Sequence, residues 1–247
     1  MQTDMDKTAI IIGASSGIGY EIALRLIADG WHVGLAARRT DKLESLAAKH
    51  PGQVFATAID ITAEDADRNL RTFIERIGGM DLYLHVAGVG WQNHTLEPDK
   101  ELRTIETNAL GFARMTGEAY RYFTERGSGH IAVISSIAGT KGLGVAPAYS
   151  ATKAFDANYI QALEQQARIR RLPIHFTDIR PGFVRTDLLA DGRKYPLLMD
   201  AGKVADDIVQ SIYKRRHVRV IDWRYRILTA LWRCIPACIW RRLRIAN

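Results

Sequence analysis

The chain has 247 residues, 47% of them hydrophobic and 25% charged, which is the length and composition of one large globular α/β domain. Six of the seven net positive charges come from arginines after Asp222, so the part before it is close to neutral and we expect no nucleic-acid partner. The polar segment 1–7 leaves no room for a signal peptide, and two cysteines, Cys234 and Cys238, cannot frame a secreted fold or a metal site, so we expect a cytoplasmic protein without a metal.

The first predicted element is a strand that runs into a glycine-rich loop and then a helix. The apolar run 10–12 stops at Gly13, and an amphipathic pattern starts at Ile18. Gly13 lets the chain turn off the strand, Gly17 lets the backbone approach a ligand, and Gly19 lets the helix pack against the strand. Since a helix N-terminus favours anions such as a pyrophosphate, the loop indicates a dinucleotide site; the alternative is an ordinary turn between strand and helix.

The spacing of these glycines resembles the GxxxGxG motif of the short-chain dehydrogenase/reductase family. This chain has Ile12 where the family usually has threonine. The resemblance implies a doubly wound, Rossmann-type fold with a nicotinamide dinucleotide on the loop. The implied contacts come from Gly13, Ser15, Ser16, Gly17, Ile18 and Gly19.

The second predicted strand, 31–37, decides which dinucleotide we expect. An NAD site has an Asp or Glu about 20 residues beyond the glycine loop, and that position falls near Ala37, which accepts no hydrogen bond. Arg38 follows, and its guanidinium would hold the 2′-phosphate of NADP(H). The alternative is a solvated arginine pair, Arg38 and Arg39, that opens the next helix. We favour NADP(H).

The third predicted strand, 54–59, ends in Asp60-Ile61. By its type alone, Asp60 would be a helix N-cap, with Thr62 and Glu64 beyond it. The family resemblance implies that Asp60 and Ile61 also contact the adenine.

The fourth predicted strand, 81–86, runs into Ala87-Gly88. This is similar to the family's Asn-Asn-Ala-Gly element, but His85 and Val86 replace the two asparagines. Ala87 and Gly88, which let the cofactor approach the backbone, are retained. We expect His85 to be a core histidine and not a catalytic one.

A long predicted helix, 98–126, carries Asn108 in its middle. Asparagine competes with the helix backbone for hydrogen bonds, so this position needs an explanation. One explanation is a core amide that bonds locally. The resemblance implies the other, a catalytic asparagine whose local helix distortion holds a water in a proton relay.

The fifth predicted strand, 129–135, leads into Ser136, and a later helix opens with Tyr149 and Lys153. The two are four residues apart and share a helix face, and Ser136 can converge on it at the carboxyl ends of the strands. Reduction of a ketone needs an acid for the developing alkoxide, and a nearby ammonium lowers the pKa of a tyrosine from about 10. With Asn108, the motif is similar to the family's catalytic tetrad.

The sixth predicted strand, 174–179, is followed by a turn, 180–186. The resemblance implies that Pro181, Gly182, Val184 and Thr186 lie beside the nicotinamide. The irregular segment 188–199 is where family members have a substrate lid. A helix around 204–213 and a last strand, 218–221, complete the predicted sheet.

The segment 223–247 lies outside the shared motifs and has six arginines, three tryptophans and no acidic residue. An apolar helix face is predicted, with Pro236 as a kink. It consists of Leu228, Leu231, Trp232, Ile235 and Ile239. The segment is too short and too charged to span a bilayer. It would lie on an anionic membrane or pack on the protein or a partner subunit; the sequence leaves both open.

These elements predict one doubly wound α/β domain, with a mostly parallel sheet and helices on both faces. We expect a catalytic domain over 1–222 and a C-terminal extension over 223–247. The resemblance implies a homodimeric or tetrameric NADP(H)-dependent oxidoreductase that interconverts a ketone and a secondary alcohol. The apolar residues of the predicted lid and of the C-terminal segment favour a lipophilic carbonyl or acyl substrate. An NADP(H)-binding regulator of the same fold is the alternative, although such proteins typically lack the Tyr or Lys. An extended-branch sugar-nucleotide epimerase needs a larger C-terminal domain.

Overall fold

The computed structural model describes residues 7–189 and 192–245. These residues contain one parallel sheet of seven strands, in the order β3-β2-β1-β4-β5-β6-β7. The strands are β1 (Thr8–Ile12), β2 (His32–Ala37), β3 (Val54–Ala58), β4 (Leu82–His85), β5 (Gly129–Ile134), β6 (Ile174–Arg180) and β7 (Val218–Val220). The predicted doubly wound fold is confirmed.

Helices cover both faces of the sheet. They are α1 (Gly17–Ala28), α2 (Asp41–Lys49), α3 (Ala66–Arg76), α4 (Pro98–Ile105), α5 (Phe112–Arg126), α6 (Pro147–Ile169), α7 (Ala201–Tyr213), α8 (Trp223–Cys234) and α9 (Ala237–Trp240). α1, α2 and α7 pack on one face, while α3, α5 and α6 pack on the other. Two short 3₁₀ helices, Ile137–Thr140 and Asp187–Leu189, follow β5 and β6.

The continuous apolar run of β1 has a direct physical reason. Successive side chains of a strand point to opposite faces, so Ala9 and Ile11 enter one core and Ile10 and Ile12 enter the other. A parallel sheet with helices on both faces buries both sets, which is why the strand does not alternate apolar and polar residues.

The chain reverses its winding at β1, which pairs with β2 on one side and β4 on the other. Ligands of open α/β sheets bind outside the carboxyl ends of the strands at this point. The glycine loop follows β1 there, and the residues after β4, β5 and β6 end at the same edge.

The C-terminal segment is helical and is divided at Pro236, as its sequence predicts. The predicted apolar face is only partly correct. Tyr225 and Thr229 are buried against the domain, whereas Leu231 and Ile239 are exposed. None of the helices described here is long and apolar enough to cross a membrane.

Candidate active site

The glycine loop is held tightly between the ends of β1 and β4. Gly13 has φ +91°, and a methyl group at this position would lie 2.5 Å from the Ala87 nitrogen. A methyl group at Gly19 would lie 2.3 Å from the Gly13 carbonyl oxygen. Both positions therefore require glycine, and the first turn of α1 lies directly on the loop.

The start of α1 has the backbone geometry that suits an anion. Ser16 is the N-cap residue, and its side chain makes no capping hydrogen bond. The first N–H groups of an α-helix have no intrahelical acceptor, so they are free to face a ligand with Ser15 and Ile18 beside them. Gly17 has φ +54°, and a methyl group there would lie 3.0 Å from Thr186 Cγ2, so the turn after β6 meets this loop.

Arg38 and Asp60 lie close together at the carboxyl ends of β2 and β3. Arg38 is exposed, whereas Ala37 is buried. Burial alone would raise the pKa of Asp60, but hydrogen bonds from Thr62 and the Arg38 charge together lower it. Asp60 is therefore a carboxylate beside a guanidinium.

The predicted helix N-cap at Asp60 is wrong. Its Oδ1 accepts hydrogen bonds from the Thr62 backbone nitrogen (3.0 Å) and hydroxyl (2.8 Å), which is an Asx turn, and α3 begins only at Ala66 after Asp65. Ile61, whose contact with adenine is predicted, is 5% exposed and packs against Gly111.

The element after β4 combines a buried histidine with a close backbone approach. The Tyr83 hydroxyl lies 2.8 Å from His85 Nδ1, and His85 Nε2 is buried with no hydrogen-bond partner among the described residues. Burial, with a contribution from Lys153, lowers the pKa of His85 to about 3, so the ring is neutral. Gly88 lies against two of the predicted site residues, because a methyl group there would be 3.3 Å from Asn108 Oδ1 and 3.7 Å from Lys153 Nζ.

Asn108 lies in a π-helical stretch, Glu106–Gly111, that joins α4 to α5. The helix distortion that the resemblance implies is therefore present. The Asn108 amide holds Val89 at both ends: Oδ1 accepts from the Val89 nitrogen (2.8 Å) and Nδ2 donates to the Val89 carbonyl (2.7 Å). Nδ2 also lies 3.3 Å from the Thr152 hydroxyl on α6. Asn108 thus ties the loop after β4 to two helices.

Ser136 is the second residue after β5 and is 7% exposed. Its Oγ accepts a hydrogen bond from the Ala138 nitrogen (3.1 Å) and donates a long one to the Pro181 carbonyl (3.4 Å). Both contacts position the hydroxyl at the carboxyl edge of the sheet, beside the turn after β6.

Tyr149 and Lys153 lie in the first two turns of α6, where the backbone of Gly90 packs against the Tyr149 ring. A methyl group at Gly90 would lie 2.5 Å from Tyr149 Cδ2. The Lys153 ammonium donates to the Ile134 carbonyl (3.0 Å) and to Asp156 Oδ2 (2.9 Å). Burial opposes its charge, but Asp156 and Tyr149 outweigh burial and raise the pKa of Lys153. Two of its three N–H groups are thus used, which leaves one for a ligand.

Asp156 is a buried neighbour of Lys153 that was not predicted from the sequence. It is 0% exposed, and its Oδ1 has no hydrogen-bond partner within the described part of the chain. Burial raises its pKa to about 6, although the Lys153 ammonium acts in the opposite direction. The spacing could have predicted the pair, because an acidic residue three positions after a lysine in a helix lies on the same helix face.

The turn after β6 is held by the C-terminal helix. Tyr225 of α8 is 1% exposed, and a methyl group at Gly182 would lie 2.2 Å from its ring. The Tyr225 hydroxyl accepts from the Phe183 nitrogen (3.3 Å) and donates to the Pro196 carbonyl (2.8 Å). This role of Tyr225 was not predicted either, because Tyr225 and Phe183 are 42 residues apart and no local sequence pattern indicates their contact.

The segment predicted as a substrate lid runs back alongside the turn after β6. Val184 pairs with Met199 in an isolated bridge, and the Arg185 nitrogen donates to the Met199 carbonyl (2.9 Å). The rings of Phe183 and Tyr195 lie 4.9 Å apart. Residues 190 and 191 of the predicted lid lie outside the described residues.

Most of the predicted site residues lie at one edge of the sheet, and the loops that carry them contact one another. The loop after β1 meets the element after β4 and the turn after β6, and Gly88 lies over Asn108 and Lys153. Arg38, Asp60 and Ile61 lie farther along the same edge, at the ends of β2 and β3. Among the described residues, no group of three or more His, Cys, Asp or Glu side chains is placed to hold a metal ion.

Comparison with known proteins gives the same assignment. Residues 7–195 match the family described as short chain dehydrogenase. An uncharacterised oxidoreductase of Myxococcus xanthus is 32% identical over 237 residues, which cover 93% of this chain and 93% of that protein.

Two solved structures have the same fold. A short-chain dehydrogenase from Streptomyces avermitilis is 26% identical, with a TM-score of 0.79 and coverage of 92% of each chain. An alcohol dehydrogenase from the archaeon Thermococcus sibiricus, complexed with 5-hydroxy-NADP, is 24% identical, with a TM-score of 0.78, and covers 89% of this chain and 97% of its own. With its sequence match over 7–195 and this shared architecture, the chain belongs to the short-chain dehydrogenase/reductase family of oxidoreductases.

Proposed function

We propose that the protein is an NADP(H)-dependent oxidoreductase that interconverts a ketone and a secondary alcohol, and that it works as a reductase of a lipophilic carbonyl or acyl substrate. The observation that carries this proposal is the buried Lys153 ammonium. It lies one helical turn after Tyr149 and below Gly88, at the carboxyl edge of the sheet. A charged lysine beside a tyrosine lowers the pKa of the tyrosine, because its positive charge favours the phenolate form.

The residues at the sheet edge fit a nicotinamide dinucleotide with a 2′-phosphate. The uncapped start of α1 suits the pyrophosphate, and exposed Arg38 suits the 2′-phosphate. The T. sibiricus enzyme, of the same fold, was crystallised with an NADP derivative. The remaining contacts are assigned to Gly13, Ser15, Ser16, Gly17, Ile18, Gly19, Asp60, Ile61, Ala87, Gly88, Tyr149, Lys153, Pro181, Gly182, Val184 and Thr186. When bound, the cofactor supplies the hydride.

The chain's own residues manage the proton and the substrate oxygen. Ser136 donates a hydrogen bond to the carbonyl oxygen and orients it. Tyr149 gives its proton to that oxygen as negative charge develops there. Lys153 lowers the cost of the resulting phenolate, and Asn108 completes the proton relay to Tyr149. The reverse oxidation uses the same groups with Tyr149 as the base.

The proposal is tested by NADPH consumption with a panel of hydrophobic ketones and acyl compounds, with NADH as the control cofactor. We expect ketone-dependent oxidation of NADPH. An NADP(H)-binding regulator of the same fold is the alternative. Tight NADPH binding by titration without turnover on any member of the panel would favour the regulator.

Arg38→Asp tests the choice of cofactor. The change replaces attraction for a 2′-phosphate with repulsion and supplies an acceptor for a ribose hydroxyl. We expect kcat/KM with NADPH to fall by roughly 10²-fold, since a charge-assisted bidentate contact is lost, while the value with NADH stays or rises. The exposed neighbour Arg39, changed to Asp, is the matched control. A wild-type protein that already prefers NADH would contradict the cofactor proposal.

We also propose that the protein is a homodimer or tetramer. Apolar side chains are exposed along the helices that carry the reactive residues: Leu102 on α4, Leu110 in the π-helical stretch and Phe155 on α6. A shared two-fold axis would cover these side chains with their own copies. Light scattering at micromolar concentration is expected to give a multiple of the 27.7 kDa chain mass. A monomer under these conditions would contradict it.

A further inference from the structure

The helix α8 carries apolar side chains on two different faces. Its inner face packs on the domain through Tyr225 and Thr229, which are 1% and 3% exposed. Its outer face carries Trp223, Ile227 and Leu231, which are 65%, 51% and 60% exposed. These three follow one another at four-residue spacing, so they form one stripe along the helix. We call this stripe the outer face of α8.

The outer face is bordered by positive charge. Around the helix axis, Arg224 lies about 60° from the centre of the stripe on one side, whereas Arg226 and Arg233 lie about 100° and about 120° from it on the other side, toward the inner face. Arg224 is paired with Asp222 at 2.6 Å, while no ion pair is found for Arg226 or Arg233 within the described residues. Three further arginines follow α8, and the chain has no acidic residue after Asp222.

A second copy of the chain is a poor occupant for this face. A two-fold interface brings the same patch of both copies together, so the arginines of one copy would face those of the other with no acidic partner on the stripe. An anionic lipid surface complements both features, because headgroups neutralise arginine and the apolar stripe enters the headgroup boundary. Trp223 at the end of the stripe has the side chain that favours this boundary.

We propose that the outer face of α8 holds the protein on the surface of an anionic membrane. The helix lies in the plane of the interface, because its 12 residues span only about 18 Å. The inner face stays on the domain, and residues that follow α8 bond the loop after the 3₁₀ helix Ile137–Thr140. Lys141 Nζ donates to the Ile235 carbonyl (3.0 Å), and Trp240 Nε1 donates to the Gly142 carbonyl (2.8 Å).

This orientation brings the loop that carries Lys141 and Gly142 toward the bilayer. The loop that carries Lys141 and Gly142 follows the helix capped by Ser136, and Tyr225 holds the segment around Pro196. A lipophilic carbonyl dissolved in the membrane would then reach the site without crossing water; this last step rests on the proposed function, whereas membrane binding does not.

The test is co-sedimentation of the full-length protein with vesicles, without substrate or cofactor. One set contains phosphatidylglycerol and phosphatidylcholine, and the other contains phosphatidylcholine alone. We expect binding to the anionic vesicles that falls with added salt, and little binding to the neutral ones. The double variant Ile227→Gln/Leu231→Gln is expected to bind at least about tenfold more weakly, because it removes two apolar anchors. Arg226→Gln/Arg233→Gln is expected to lose the preference for anionic vesicles.

The matched control is Ile169→Gln/Val218→Gln, which removes two apolar side chains that are at least half exposed on other surfaces. It is expected to bind like the wild type. Truncation after Asp222 is unsuitable, because it also removes the buried Tyr225. Absence of binding to anionic vesicles, or equal binding by the outer-face variant, would overturn the proposal. A change of oligomeric state in the outer-face variant with unchanged vesicle binding would overturn it in favour of a protein interface. Because no turnover is measured, failure here is distinct from failure of the proposed reaction.

Discussion

Tyr149→Phe is expected to lower kcat by roughly 10²- to 10⁴-fold, which is the usual contribution of a positioned general acid. The change removes only the hydroxyl, and the ring that packs against Gly90 remains. The Kd for NADPH is therefore expected to change by less than about twofold, because the fold and the cofactor contacts other than this hydroxyl stay in place. Stopped-flow NADPH consumption and fluorescence titration of NADPH measure the two quantities.

The control for this prediction is Tyr159→Phe on the same helix. Tyr159 is stacked on Phe155 with ring centroids 5.5 Å apart, ten residues beyond Tyr149. It loses a hydroxyl in the same way, but outside the proposed proton path, so its turnover is expected to stay near that of the wild type. A Tyr149→Phe protein with near-normal turnover would refute the mechanism, and equal losses in both variants would show a general structural effect.

The sheet could be predicted because its signals are local. Six of the seven strands lie within one residue of their predicted bounds, since each is a short apolar run that a glycine, a proline or a polar residue ends. The shared helix face of Tyr149 and Lys153 could also be predicted, because their spacing alone places them one turn apart. The distortion at Asn108 was implied by family resemblance and is present as a π-helical stretch.

The errors lie where tertiary contacts compete with local patterns. The sequence around Asp60 fits an N-cap, but its carboxylate closes an Asx turn with Thr62, and α3 begins one turn later. On α8, several choices of apolar face satisfy the helical period. The packing of Tyr225 on Gly182 selects one that leaves Leu231 in solvent. A pattern within one sequence does not indicate which distant residue a helix face will contact.

Asp156 allows a direct test of how Lys153 is positioned, because burial makes the ionised form of its carboxyl unfavourable. Its carboxyl is fully buried, one oxygen lacks a partner among the described residues, and burial raises the pKa to about 6 against the effect of Lys153. A carboxyl whose pKa is raised above its unfolded value of 3.8 contributes its full stability below that value and loses it as the pH rises through about 6. We therefore expect the ionised Asp156 to destabilise the fold at pH 8.

Asp156→Asn is expected to raise the free energy of unfolding at pH 8 by up to roughly 3 kcal/mol, because the amide is neutral in both states. The gain is expected to be roughly half as large at pH 5 and to vanish below the unfolded pKa. Urea unfolding at each pH measures it. Exposed Asp99→Asn on α4 is the matched control and is expected to change stability by less than about 0.5 kcal/mol. A loss of stability at pH 8 would instead show that the pair with Lys153 is favourable.

The same variant is expected to lose activity while it gains stability, which a merely structural residue would not do. The carboxylate holds the Lys153 ammonium at 2.9 Å and raises its pKa, so its removal leaves the lysine less firmly placed beside Tyr149. We expect kcat/KM at pH 8 to fall by roughly tenfold or more. In the wild type, kcat/KM is expected to fall as the pH drops through about 6, where Asp156 becomes protonated, and the Asn variant is expected to lack this limb. Initial rates corrected for acid decay of NADPH give both profiles. An identical acidic limb in the two proteins would remove Asp156 from the reaction and leave the lysine to be positioned by the Ile134 carbonyl alone.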